Sequence, residues 1–217
     1  MKRLHLIIAL SFASLAVISP VLGTKAATLF GVKFAAGTFT ILLAYSLLDV
    51  VNELWGREEA RFLAVSIVLI RLVLFLGVVP LIVKLPAYLE PAGYAGVLSM
   101  SMRTFLASEI GTLVQNVLID IPIFHALKKI KLGFLFRANL SNIISWTFGT
   151  AAFVLISYWG APKPLLPVLI GQTLIKFPLS FIYAGIGYWI VRKARAATAK
   201  NAAGTAPIIE TAVSKDA

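Results

Sequence analysis

The chain has 217 residues, 59% of them hydrophobic and 13% charged, with a formal net charge of +11 and a mean hydropathy of +0.92. Soluble domains carry charge on about a quarter of their residues, so the composition excludes that class. With no cysteine, disulfides, thiol nucleophiles and thiolate metal sites are excluded too, and His5 and His125 are too few and too separated for an ordinary histidine metal centre.

Apolar runs of about 18 or more residues recur along the chain, the signature of membrane helices. They predict an all-α integral membrane protein with six transmembrane helices near 4–22, 36–54, 62–84, 97–121, 138–159 and 165–190, forming one membrane domain over 1–192. One set of connections holds Lys2, Arg3, Arg57, Arg61, Lys128, Lys129, Lys131, Arg137, Arg192, Lys193, Arg195 and Lys200, the other only Lys25, Lys33, Lys84 and Lys163. By the positive-inside rule both termini are expected to be cytoplasmic, in a bacterial cytoplasmic (inner) membrane. The same placement assigns the positive charge to topology and the lipid bilayer, not to nucleic acid.

In chain order, the first segment also resembles a secretory signal peptide, but no small-x-small cleavage site follows it, and it is expected to be retained. Its Ala9, Ala13 and Ala16 offer a face for close helix approach, within the molecule or to a partner. The second segment ends in SLLDVVNELWGREEAR, where Asp49 lies inside the apolar run and Glu53 is one turn further on. Glu53 and Arg57 have the i,i+4 spacing of a stabilising pair, and Gly56 is expected to end or bend the helix. The third segment carries Arg71 too deep to snorkel easily. In the fourth, RTFLASEIGTLVQNVLID, α-helical spacing sets Glu109, Asn116 and Asp120 on one stripe, with Arg103 and Gln115 on a neighbouring face. Glu109 then sits near mid-depth and Asp120 about 16 Å away, near the cytoplasmic surface.

The fifth segment sets Asn139, Asn142, Trp146 and Gly149 on one face, amides beside an aromatic plate that suits a planar heterocycle or, equally, close helix packing. The sixth carries Gln172 and, near its midpoint, Lys176. A charge at mid-depth costs about 2.5–3.5 kcal/mol on insertion scales, so these positions are functional candidates. Arg71, Arg103 and Lys176 on one side, and Asp49, Glu109 and Asp120 on the other, also balance as an internal network of structural ion pairs. From residue 193 the chain turns small, polar and Ala-rich, and a disordered cytoplasmic tail is expected over 193–217. No P-loop, HExxH or Gly-x-Ser-x-Gly occurs, so no enzyme and no cofactor are expected.

AGTFTILLAYSLLDVVNELWGREEAR resembles the pattern of the queuosine precursor transporters, within the vitamin uptake transporter group, through Gly37, Asp49, Glu53, Trp55, Gly56, Ala60 and Arg61. Lys25 in the loop after the first helix, Arg103 with Ser108, Asp120 with Phe124, and Arg137, Asn139, Ser141 and Ser145 are similar to further elements of that family. The resemblance covers about residues 20–190. Ile41-Leu42 replaces a Phe-Pro pair, and Trp146 and Gly149 stand where the family continues with Gln and Asp.

The resemblance implies import of 7-cyano- or 7-aminomethyl-7-deazaguanine. A carboxylate such as Glu109 suits the N1–H and amine of such a base, Asn116, Asn142 or Gln172 its O6, and Trp146 its ring. The residues expected to bind substrate are therefore Glu109, Asn116, Asn142, Trp146, Gln172 and Lys176. Those expected to gate or to form the structural charge network are Asp49, Glu53, Arg71, Arg103 and Asp120. Two other readings stand beside a stand-alone transporter. One is the substrate-binding subunit of an energy-coupling-factor vitamin importer, which needs an ATP-driven module. The other is a membrane scaffold whose charges only fix helix packing. A homo-oligomer is compatible with each.

Overall fold

The computed structural model describes residues 2–86, 93–160 and 164–204. Helix α1 (Lys2–Gly23) leads into a hairpin of β1 (Ala26–Leu29) and β2 (Val32–Ala35), then α2 (Thr38–Leu54) and α3 (Arg57–Leu72). A π-helical stretch, Val73–Val78, joins α3 to α4 (Val79–Lys84). Helix α5 (Tyr94–Ile110) passes through a longer π-helical stretch, Gly111–Asp120, into α6 (Ile121–Lys129), and α7 (Phe134–Ser157) and α8 (Leu166–Gly204) complete the chain.

Four helical runs are long and apolar enough to cross a membrane: Arg3–Gly23, Arg57–Lys84, Gly96–Lys129 and Leu166–Ala199. Helix α7, bent by 45° between Phe134–Trp146 and Phe148–Ser157, makes a fifth if counted as one span. The remaining expected span coincides with α2, which at 17 residues is about 26 Å long. The molecule is thus a mainly helical multi-pass membrane protein.

Helix α2 is central. Ten consecutive residues, Ala44–Glu53, are buried, as a helix enclosed on all sides requires. Leu47, Leu48, Val50 and Val51 pack with Ile8, Phe12 and Ala16 of α1, Ala60, Ala64 and Ile67 of α3, and Ala184 and Val191 of α8. Ala16 and the partly buried Ala13 belong to this core, so the small face of α1 serves packing within the molecule. Leu6, Ile7, Phe62, Val73, Leu118, Phe148 and Trp189 point outward, as lipid-facing side chains do.

Three sequence expectations are corrected. The i,i+4 pair of Glu53 with Arg57 does not form, because Gly56 (φ +98°) ends α2 between them, and Arg57 lies 3.9 Å from Glu58 instead. Arg103 is exposed and outside the buried charge network. It lies only nine residues past the start of α5, and Nη1 reaches the Trp159 carbonyl at 3.3 Å. The expected tail begins later than residue 193, since the Ala-rich sequence sustains α8 to Gly204 and Arg195 pairs with Glu53. Residues 205–217 of that tail lie outside the described residues.

Between α1 and α2, where the sequence predicts a loop, the chain forms a hairpin. Phe30 and Gly31 both have positive φ, +49° and +78°, the two-residue turn that suits the twist of a hairpin. Strand β2 packs on α8, where a Cβ at Gly171 would meet the Lys33 carbonyl, 2.7 Å from its carbon. A backbone carbonyl yields poorly, so Gly171→Ala is expected to destabilise by about 1–3 kcal/mol. Thermal unfolding in detergent checks this, with Gly185→Ala as control, since a Cβ there meets nothing within 4 Å.

Candidate functional site

Polar side chains run through the bundle in four groups. The first surrounds a cavity between α1, α2, α5 with its π-helical extension, α7 and α8. Ser19, Thr38, Tyr45, Ser108, Gln115, Gln172 and Lys176 line it, with Gly37, Gly111 and Gly149. Its space totals about 440 Å³, of which about 40 Å³ admits the centre of a water-sized molecule. That is room for about three waters, so a heterocycle enters only if the helices part.

Within the cavity, Thr38 Oγ1 donates to Gln172 Oε1 at 2.6 Å and Lys176 Nζ donates to Thr150 Oγ1 at 2.7 Å. Gln115 Nε2 is buried without a hydrogen-bond partner. Gly149 makes room for that amide: a Cβ there would stand 2.8 Å from Gln115 Cδ. Trp146 stands behind Lys176, with Nζ 6.0 Å from the ring centroid, and both line a separate, roomier groove between α7 and α8 with Thr150 and Phe177.

The second group is a buried ion pair. Arg71 Nε lies 2.6 Å from Glu109 Oε1, and the guanidinium has no exposed surface. Nη2 donates to Thr112 Oγ1 at 2.8 Å, and Nη1 donates to Ser108 Oγ at 3.3 Å and to the Ala16 carbonyl at 3.2 Å. That carbonyl is free for a local reason. Pro20, inside α1, has no N–H to return to the residue four before it, and Arg71 takes its place. Ser108 therefore touches both the ion pair and the cavity.

In the third group Asp49 and Asp120 face one another, each almost wholly buried. Asn142 Nδ2 donates to Asp49 Oδ2 at 3.5 Å, Ser141 lies beside Asp120, and Asn116 lies beside Tyr45. The fourth group closes the C-terminal end of α2. Glu53 Oε2 is 2.9 Å from Arg137 Nη2 and 3.3 Å from Lys128 Nζ, and Oε1 pairs with Arg195. Arg137 also lies 4.8 Å above the Phe124 ring.

Of the residues expected to bind substrate, Gln172 and Lys176 line the cavity. Trp146 backs Lys176, Asn142 serves Asp49, Asn116 lies by Tyr45, and Glu109 is held by Arg71. Sequence reasoning missed Thr38, Tyr45 and Gln115 as lining residues. Gln115 lies in the π-helical stretch, where hydrogen bonds run i to i+5 and the α-helical wheel misplaces faces.

The model of a family described as "Putative vitamin uptake transporter" matches residues 35–190, more than half of the chain and every one of the four polar groups in part. No curated protein and no solved structure matches the chain. A multi-pass helical protein with a polar cavity enclosed by its helices fits that description, and the chain belongs to the vitamin uptake transporter family.

Proposed function

We propose that the protein is a stand-alone secondary transporter importing a small heterocycle, foremost a 7-cyano- or 7-aminomethyl-7-deazaguanine, across a bacterial cytoplasmic membrane. The carrying observation is the cavity enclosed by α1, α2, α5, α7 and α8 and lined by Gln115, Gln172 and Lys176, in a chain of this family. Amide and ammonium groups are expensive within a bilayer, and a ligand offering O6 and ring nitrogens would use them. All six apolar segments, α2 included, span the membrane in this reading, and the twelve-to-four lysine and arginine asymmetry sets both termini in the cytoplasm.

Substrate enters as the bundle opens around the cavity, and α7, bent beside it, and the π-helical stretch that carries Gln115 are the points that shift. Asp49 with Asp120, and Glu53 with its three cations, form the cytoplasmic gate. The burial of Ala16 in the core commits that part of the small face of α1 to packing within the molecule, which favours the stand-alone form.

Cells that depend on this protein are expected to accumulate labelled 7-deazaguanine. Gln172→Leu is expected to cut uptake by about tenfold at unchanged membrane abundance, as loss of one buried hydrogen-bonding group does. Failure of every 7-deazaguanine to accumulate would remove the substrate assignment, and stable co-purification with an ATPase would remove the stand-alone form.

A further inference from the structure

We propose that the cavity selects its ligand by an electron-rich or anionic group set against Lys176, so that cyano- and carboxy-substituted 7-deazaguanines are accepted and the cationic aminomethyl form is refused. This rests on the transport reading above and narrows it. Lys176 is 8% exposed and lies ten residues past Leu166, about 15 Å along α8. Its neighbours are the Thr150 hydroxyl at 2.7 Å and the Trp146 ring at 6.0 Å, and neither carries a charge. The interior carboxylates lie elsewhere: Glu109 pairs with Arg71, Glu53 with Arg137, Lys128 and Arg195, and Asp49 and Asp120 sit together beside Asn142 and Ser141. Among the described residues Lys176 forms no ion pair, and no carboxylate lines the cavity.

The other nitrogens at the cavity point to the same ligand chemistry. Gln115 Nε2 is buried with no partner, and Gln172 Oε1 already accepts from Thr38. Three nitrogen-bearing side chains, Gln115, Gln172 and Lys176, line one space that no carboxylate lines. Cations inside a bilayer are tolerated when paired, so the missing acceptor belongs to the ligand. On a 7-deazaguanine, O6 and the 7-substituent share one edge. A nitrile or carboxylate there extends the row of acceptors, whereas an ammonium sets like charges together.

The test compares uptake of the 7-cyano, 7-carboxy and 7-aminomethyl compounds, and of nicotinate and thiamine as an anionic and a cationic heterocycle. Wild type is expected to prefer the cyano and carboxy forms. Lys176→Met should reduce their uptake by about 10–100-fold, the range for a hydrogen bond to a charged group. Lys176→Glu should turn the preference toward the aminomethyl form. If Lys176→Met fails to insert, Lys176→Gln carries the comparison, since it keeps a donor for Thr150. Equal or better uptake of the aminomethyl form by wild type overturns the inference while the deazaguanine reading stands. Unchanged selectivity in the Lys176 variants does the same. Lys176-dependent uptake of nicotinate alone upholds the inference and overturns the deazaguanine reading. Uptake of thiamine alone, or of none of the five, overturns both.

Discussion

Arg71→Met is expected to be the most damaging single substitution in the membrane interior, costing about 3–5 kcal/mol, the range for stranding one partner of a buried ion pair. The guanidinium ties four elements together: Glu109 and Ser108 on α5, Thr112 on the π-helical stretch beyond it, and the Ala16 carbonyl that Pro20 leaves free on α1. Removing it leaves a carboxylate without a counter-charge and a backbone carbonyl without a donor, and both are expensive away from water. Glu109→Gln should be damaging for the converse reason. The double variant Arg71→Met/Glu109→Leu removes both charges, and its unfolding midpoint in detergent should lie above that of Arg71→Met alone. Additive losses would show that the pair's coupling does not hold α3 to α5.

That pair also shows what the sequence could and could not convey. Hydropathy located the four long apolar runs and the bent fifth, because membrane solvation acts on every residue of a run and leaves a long, redundant signal. It also marked Arg71, Glu109 and Lys176 as costly, since cost depends on depth. Partners depend on how helices face each other, which no single segment encodes. Glu109 suited a ligand's N–H groups equally well until α3 placed Arg71 at 2.6 Å. An α-helical wheel turns Gln115 away from the stripe of Glu109 and Asn116, whereas its own stretch is π-helical. The hairpin left a weak trace: its strands have four residues each, and its turn is Phe-Gly instead of the favoured Asn-Gly. At the other end, an Ala-rich stretch reads as disorder by composition yet propagates a helix already nucleated by packing.

Glu53→Gln is expected to destabilise nearly as much as the loss of Arg71, and burial identifies which partner is responsible. Arg137 has 5% of its side chain exposed and Glu53 2%, whereas Lys128 and Arg195 are 38% and 62% exposed. Water screens the two outer cations, so Lys128→Ala and Arg195→Ala should each cost about 0–1 kcal/mol. Arg137 cannot reach water in the same way. Its Nε and Nη1 already lack hydrogen-bond partners, and the Phe124 ring 4.8 Å away offers only a weak attraction. Without the Glu53 charge it is left to the neighbouring Asp49, which would be drawn from Asn142. Glu53→Gln and Arg137→Met are therefore expected to cost about 3–5 kcal/mol each in thermal unfolding, with the pair strongly non-additive. If Lys128→Ala or Arg195→Ala were as damaging as Arg137→Met, exposure would not govern the strength of these contacts. The closure at the C-terminal end of α2 would then rest on the whole cluster and not on its one buried pair.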